Sequence, residues 1–447
     1  MTHSPAVAVI GAGLAGSEAA WQLARLGIRV ELCEMRPCVM TPAHTTGGFA
    51  ELVCSNSLGT ESPSAAPGLL KDEMRQCGSL IMAAAEASRV PAGRALAVDR
   101  HAFSAAVEAR LAALPEVTVI RQESATLPEG RTAVIATGPL TSPQLSAAIA
   151  QFVGCDNLYF YDALAPIVTA ESVDPELSYW GSRYGVDQKG VAAAGGGSGD
   201  YLNCPLDRLQ YLALRSALVA APRHLPHPFE RGRLFEGCLP VEVLAERGED
   251  TMRFGPLKPV GLDDPRSGLR PYAVLQLRRE DSSGHLLNLV GCQTNLTQAA
   301  QREVFRLVPA LRAAEFARYG AMHRNTYLHG PRLLRPTLET RSRQGLFFAG
   351  QLTGVEGYTE SAASGLAAGL AAAARAMGRE PRPFPDVTMI GALCRFVSSA
   401  ATEDFQPMNA NFGLLPPLER RCPRRERPLL YRRRSLDAVA DFLAAGA

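Results

Sequence analysis

The run Ala6-Val7-Ala8-Val9-Ile10-Gly11-Ala12-Gly13-Leu14-Ala15-Gly16 opens the chain with an apolar segment of strand length feeding a glycine-spaced turn. From Leu14 to about Leu26 the pattern reads as a helix, and Gly27 stops it. Ile28 to Cys33 then reads as a second strand, with Glu34 at its end. Each glycine has a physical role. Gly11 makes the tight turn, Gly13 lets the backbone approach a pyrophosphate, and Gly16 lets the helix pack against the strands. Ala12, Leu14 and Ala15 complete the loop, whose helix N-terminus offers unpaired N–H groups to phosphates. Glu34, twenty-three residues after Gly11, is placed to accept hydrogen bonds from ribose hydroxyls, with Arg36 just beyond it. A glycine turn alone is a weak sign. Strand, turn, helix, strand and acid in this order point to an adenine dinucleotide.

A chain of 447 residues has room for two or three domains, and its 47% hydrophobic and 20% charged residues are those of a globular protein. No charged leader precedes an apolar core, and the longest small-apolar stretch, Ala362–Ala374, is too short to span a bilayer. A cytoplasmic protein without membrane association is expected. Ten cysteines occur without CxxC pairs or zinc-finger spacing, which predicts free thiols in a reducing compartment and no metal. The net charge of +2 is unevenly spread. Between Leu418 and Arg434 lie eight arginines, Arg424 and Arg425 among them, against two glutamates, so the rest of the chain is acidic. Such a strip suits a phosphate backbone, or a helix face paired with acids elsewhere.

The loop-rich stretch Arg36–Pro67 is long enough to be functional. Helical patterns follow at Leu69–Ala87 and Arg100–Leu114, then strands at Val117–Arg121 and Thr132–Ala136, the latter running into Thr137-Gly138. From Ile167 to Arg318 the pattern changes. Tyr272–Leu277 and Leu286–Val290 read as antiparallel strands, Leu206–Val219 and Gln298–Leu307 as helices, and Ala192–Gly199 as a surface loop. Gly345–Gly350 then reads as a late strand, followed by a helix over Ser361–Met377. A late strand, glycine and helix of this kind complete the cofactor site in FAD folds. The expected fold is therefore α/β: a glutathione-reductase-type FAD-binding Rossmann-like domain with an inserted α+β domain. Its expected parts are 1–166 and 321–447 for the flavin domain and 167–320 for the insertion.

Two cysteines have unusual surroundings. Cys54 lies in Val53-Cys54-Ser55-Asn56-Ser57, where hydroxyl, amide and backbone donors can stabilise a thiolate, and Cys238 lies in a Gly237-Cys238-Leu239-Pro240 turn. Cys33, Cys77, Cys155, Cys292, Cys394 and Cys422 read as packed and inert. The chain as a whole resembles a known family. Gly11–Ala20, Cys54–Ser57, Val90–Arg100, Asp200–Pro205, Gly237–Glu242, Gly255–Gly261, Met322–Tyr327 and Gly354–Tyr358 are similar to segments of the folate- and FAD-dependent tRNA (uracil-5-)-methyltransferases, TrmFO. The likeness runs almost from end to end. A related flavoprotein family that modifies the wobble uridine of tRNA resembles only the glycine loop and the Gly354–Tyr358 region.

The resemblance implies methylation of C5 of uridine 54 in the tRNA T-loop. It implies FAD as cofactor, 5,10-methylenetetrahydrofolate as carbon donor and NAD(P)H as external reductant. Uracil C5 becomes nucleophilic only after a thiolate adds at C6, and a base must later remove the C5 proton. By resemblance Cys238 is the nucleophile and Cys54 the base, with the division of roles less firm than the involvement of both. Gly138, Gly350, Glu356, Gly357 and Tyr358 would border the flavin. Lys258, His323 and Arg324 would meet folate or substrate, or else be ordinary packed or solvated residues, and Arg424 and Arg425 would contact RNA. No stable protein partner is expected. Three other readings stay open: the same chemistry on ribosomal RNA, a small-molecule FAD-dependent oxidoreductase, and a nucleotide-binding scaffold without turnover.

Overall fold

A computed structural model describes residues 6–154, 158–183, 199–224, 239–399, 405–419 and 422–446, without the side chains of 158–162 and 323–325. Cys155, Cys238, Arg420, Arg421 and nearly all of the Ala192–Gly199 loop therefore lie outside the described residues. Val7–Ile10 is buried along its whole length, as a central parallel strand must be. It lies between Ala133–Ile135 and Val30–Glu34, with Leu346–Phe348 and Val117–Arg121 at the two edges. All four pairings are parallel. The late strand thus joins the sheet begun by the first, and the α/β flavin-type architecture expected from the glycine loop is the one observed.

One helix expected over Leu69–Ala87 is two, Ala66–Gln76 and Leu80–Ala87. The break falls at Gly78, whose φ of +70° ends the first helix. Ser79 caps the second by accepting the Met82 N–H at 3.2 Å. The fully buried Glu18 also accepts from Ser79 Oγ (2.6 Å) and Ile81 N (3.0 Å) there. Periodicity ran through the break because both helices bury apolar residues against the same core. The late helix starts earlier than expected, at Tyr358, and runs to Ala376.

A six-stranded antiparallel sheet carries a second core, which includes Tyr211, Leu214, Met252, Leu275 and Phe305. Chain enters and leaves this region through a two-stranded ribbon, Leu158–Ala163 against Met322–Tyr327. Polar contacts fasten the second core to the first. Tyr201 Oη donates to Ala92 O (3.0 Å), Gly93 N–H to Asp200 Oδ2 (2.6 Å), and Ser282 N–H and Oγ to Asp99 Oδ2 (3.1 and 3.0 Å). No helix among the described residues is long and apolar enough to cross a membrane.

Of the two C-terminal helices, Met389–Ser399 was not foreseen, while Arg427–Ala444 is a helix of the kind that the second reading of the arginine strip describes, with Arg432 paired to Asp72. Both meet the helix Ala66–Gln76 at one buried carboxyl. Glu73 accepts the N–H groups of Met389 (2.7 Å) and Ile390 (2.9 Å) and the Ser435 hydroxyl. Complete burial pushes the Glu73 carboxyl up to about 7, its hydrogen bonds only partly offsetting that cost. A carboxyl raised on folding stabilises most below its unfolded value near 4.5 and loses that contribution as pH rises through 7. Thermal unfolding between pH 4.5 and 8 should therefore show a decline, on the order of 3 kcal/mol, that Glu73→Gln flattens. Parallel pH profiles for the two proteins would contradict this.

Candidate active site

The carboxyl ends of the parallel strands open into one cleft. Such switch points are where open α/β sheets bind ligands. Its walls include Gly11, Gly13, Leu14, Ala15, Glu34, Arg36, Gly138, Gly350 and Tyr358, together with Val53, Thr41, His44 and Gln351. The glycines differ in what they permit. At Gly11 φ is +97°, and a Cβ would sit 2.6 Å from Ala136 O. A Cβ on Gly16 would sit 1.7 Å from Gly11 O, so this helix can approach its strand only as glycine. Gly13 is the opposite case: its φ of −72° suits any residue, and no atom lies within 4 Å of its would-be Cβ. That empty space faces the cleft at the N-terminus of Leu14–Arg25, where a pyrophosphate fits.

Glu34 and Arg36 are both buried. Glu34 Oε2 accepts from Ala12 N (2.8 Å), and Oε1 accepts from Arg36 N (3.0 Å) and Nε (2.9 Å). Burial opposes its charge, but the Arg36 guanidinium and these N–H groups outweigh burial and hold the carboxyl below its ordinary value. A lone pair on Oε2 remains for a ribose hydroxyl. Arg36 Nη1 also pairs with Glu51 Oε2 at 3.1 Å, tying the long polar loop to the nucleotide-facing strand. Glu51, Thr41 and His44 were not singled out from the sequence, although the loop that carries them was.

Tyr358 organises the other end. Its Oη accepts the N–H groups of Cys54 (2.7 Å) and Ser55 (3.2 Å). It therefore holds the cysteine loop while lining the cleft. Burial, then the neighbouring Cys54, push its hydroxyl above the ordinary tyrosine range. Thr359 Oγ1 adds a bond to Leu58 O (3.0 Å). Cys54 Sγ, half-buried, lies 3.8 Å from Ala163 O on the two-stranded ribbon. His323 and Arg324 pair through backbone with Asp162 and Tyr161 of that same ribbon, beside Ala163. Glu356 accepts from the cleft residue Gln351 (2.6 Å), and Gly357 turns into the late helix with φ of +113°.

Other candidates lie apart. Lys258 is exposed and outside the cleft walls. Cys77, Cys204, Cys292 and Cys394 are buried, with thiols pushed up to about 12 by burial, the state of packed sulfur. The arginine strip divides. Arg432 pairs with Asp72, and Arg434 donates to Pro416 O (2.7 Å) and Pro417 O (3.0 Å). Arg424, Arg425, Arg427 and Arg433 are exposed and form no ion pair among the described residues.

This chain is 56% identical over 97% of its length, and 97% of the relative's, to the methylenetetrahydrofolate--tRNA-(uracil-5-)-methyltransferase TrmFO of Moorella thermoacetica. It is 54% identical to the same-named protein of Heliobacterium modesticaldum over 98% of both chains. It belongs to the TrmFO family. Residues 6–380 also match the broader family model "Glucose inhibited division protein A". The structure of Aquifex aeolicus GidA resembles this TrmFO-family fold with a TM-score of 0.69 at 18% identity, covering 99% of this chain and 73% of that one.

Gly13→Ala should leave Tm close to wild type and weaken flavin retention about tenfold to a hundredfold, since the new methyl meets only ligand. Gly16→Val should lose folded protein as well. Flavin absorbance of the purified variants and thermal melts separate the two, and flavin retained by Gly13→Ala at wild-type affinity would contradict the cofactor placement.

Proposed function

We infer that this chain converts uridine 54 of the tRNA T-loop to 5-methyluridine. 5,10-Methylenetetrahydrofolate supplies the carbon, and NAD(P)H serves as external reductant for bound FAD. The observation that carries this reading is Cys54, held through its backbone by Tyr358 at the rim of a dinucleotide cleft. A nucleotide-binding scaffold has no need to hold a thiol there.

The glycine loop, Glu34, Arg36, Gly138, Gly350, Glu356 and Gly357 bind and orient the flavin in this reading. The Cys238 thiolate adds at C6 of the target uracil, and the electron pair of the C5–C6 bond moves onto O4 as an enolate. That pair then attacks the one-carbon unit, forming the C5–CH2 bond. Cys54 takes the C5 proton, and the electron pair left at C5 expels the folate amine, giving an exocyclic methylene on a ring still bonded to Cys238 at C6. Reduced FAD, when bound, would supply the hydride that turns this methylene into a methyl group, and the electron pair so returned to the ring expels the Cys238 thiolate and restores the C5–C6 double bond. The uridine must be splayed from its loop for C5 and C6 to be reached.

Lys258, His323 and Arg324 serve folate or the base, and the exposed Arg424 and Arg425 neutralise tRNA phosphates. The division at 1–166, 167–320 and 321–447 is supported by the two separate cores and the ribbon between them. A cytoplasmic enzyme fits both the tRNA substrate and the free thiols.

Unmodified tRNA incubated with holoenzyme, methylenetetrahydrofolate and NAD(P)H should yield 5-methyluridine at position 54 and none without the folate. Absence of product under both conditions would overturn the reading. A 5-fluorouridine T-stem-loop should form a covalent adduct with wild type and none with Cys238→Ala; equal adduct in both would move the nucleophile elsewhere. Reversing Arg424 and Arg425 to Glu should weaken tRNA binding and flatten its salt dependence by about one unit of slope per lost phosphate contact. An unchanged slope would return these arginines to plain surface.

A further inference from the structure

Cys54 is bracketed by two groups of opposite hydrogen-bonding character. On one side stands Ala163 O, 3.8 Å from Sγ on the two-stranded ribbon. A carbonyl can only accept, so it serves the sulfur as a thiol and repels it as a thiolate. On the other side stands the Tyr358 hydroxyl. Its oxygen accepts the amides of Cys54 at 2.7 Å and Ser55 at 3.2 Å, which fills both lone pairs and leaves the O–H able only to donate. Sγ is separated from the Cys54 nitrogen by Cα and Cβ alone, so a turn about χ1 brings the sulfur against that hydroxyl. Burial, then the neighbouring Cys54, keep the hydroxyl protonated past the ordinary tyrosine range, so it retains the hydrogen to give. Holding the loop uses only the oxygen. The hydrogen is left over from that task.

A thiol that acts as a base needs both partners in turn. We propose that the Tyr358 hydroxyl donates to the Cys54 thiolate before proton transfer, and that the Ala163 carbonyl takes the new S–H afterwards. Tyr358 is then the positioning residue that makes Cys54 a base. The proposal rests on the base role given to Cys54 above. In the step itself a sulfur electron pair bonds the hydrogen leaving C5, the C–H pair stays on the ring, and the negative charge passes from sulfur to carbon. As that charge leaves the sulfur, the donor loses its purpose and the acceptor gains one. The tyrosine ring meanwhile lines the cleft beside Val53, Gly350 and Ser361, so the group that orients the base also borders the cofactor site. Arg100 is the other charged group on this loop: Nη1 donates to the Leu52 and Val53 carbonyls, and Nε pairs with Glu280 Oε2 at 2.6 Å. Arg318 also bears electrostatically on Cys54. Both guanidinium groups stay positive throughout the titration of a thiol, so they supply a constant field against which the hydroxyl acts.

Alkylation of Cys54 by iodoacetamide, followed by peptide mass spectrometry across the thiol titration range, measures the thiolate without turnover. Losing a hydrogen bond to the charged form raises a thiol's pKa. Tyr358→Phe holoenzyme should therefore show its alkylation midpoint about one to two pH units higher, with flavin retained through the unchanged ring. Tritium release from tRNA labelled at C5 of uridine 54 should fall about tenfold to a hundredfold at neutral pH and recover as pH rises, with folate KM unchanged. Replacing Tyr358 with 3-fluorotyrosine keeps the shape, makes a stronger donor and should move the midpoint down, which covers a phenylalanine variant that fails to fold. An unmoved midpoint in both proteins, or a rate loss that higher pH does not recover, would overturn the donation and leave Tyr358 a tie to the backbone alone. No tritium release by wild type, with the midpoint still moved by Tyr358→Phe, would overturn the base role and the reaction reading while keeping the pair.

Discussion

Two helices that begin far apart in sequence touch backbone to backbone, and the active site depends on that contact. A Cβ on Gly365 would lie 2.1 Å from Ala15 O, and one on Gly369 would lie 2.9 Å from Ala19 Cα. Any side chain at either position would force Tyr358–Ala376 away from Leu14–Arg25. With glycine there, the first turns of both helices reach the same cleft: Leu14 and Ala15 from one, Tyr358 and Ser361 from the other. Two positive helix ends then converge where phosphates and a reduced flavin ring carry negative charge. The same approach lets the Tyr358 hydroxyl meet the backbone of Cys54.

The inserted region contributes by holding the cysteine loop from its other side. Asn56, fully buried, donates to Val98 O (3.0 Å) and Arg279 O (2.9 Å) and accepts from Arg278 Nε (2.9 Å). It therefore spans both cores with one amide. With Arg100 bound to the Leu52 and Val53 carbonyls, the segment around Cys54 has little freedom left. In the role proposed for it, a thiol gains from such restraint, because small misplacements cost large factors in rate.

The fold was legible where local chemistry is forced. Gly11 and Gly16 tolerate nothing else, and the apolar strands around them carry a pattern that admits one reading. The site was legible only as scattered motifs. Val90–Arg100 and Asp200–Pro205 stood out by resemblance, yet their work as the joint between the cores depends on pairings such as Tyr201 with Ala92, which no spacing encodes. The break at Gly78 and the start of Met389–Ser399 were hidden because each is met by a group distant in sequence. Both are decided by buried carboxylates, Glu18 and Glu73, that cap helices remote in sequence.

Central to this account is that Cys54, seated by Tyr358 at the flavin cleft, removes the C5 proton after the carbon has been delivered. Tritium release from tRNA carrying [5-³H]uridine at position 54 measures that step alone. The wild-type holoenzyme should release tritium only when methylenetetrahydrofolate is present, and Cys54→Ala should release none while still binding the tRNA. Release by Cys54→Ala at the wild-type rate would contradict the account.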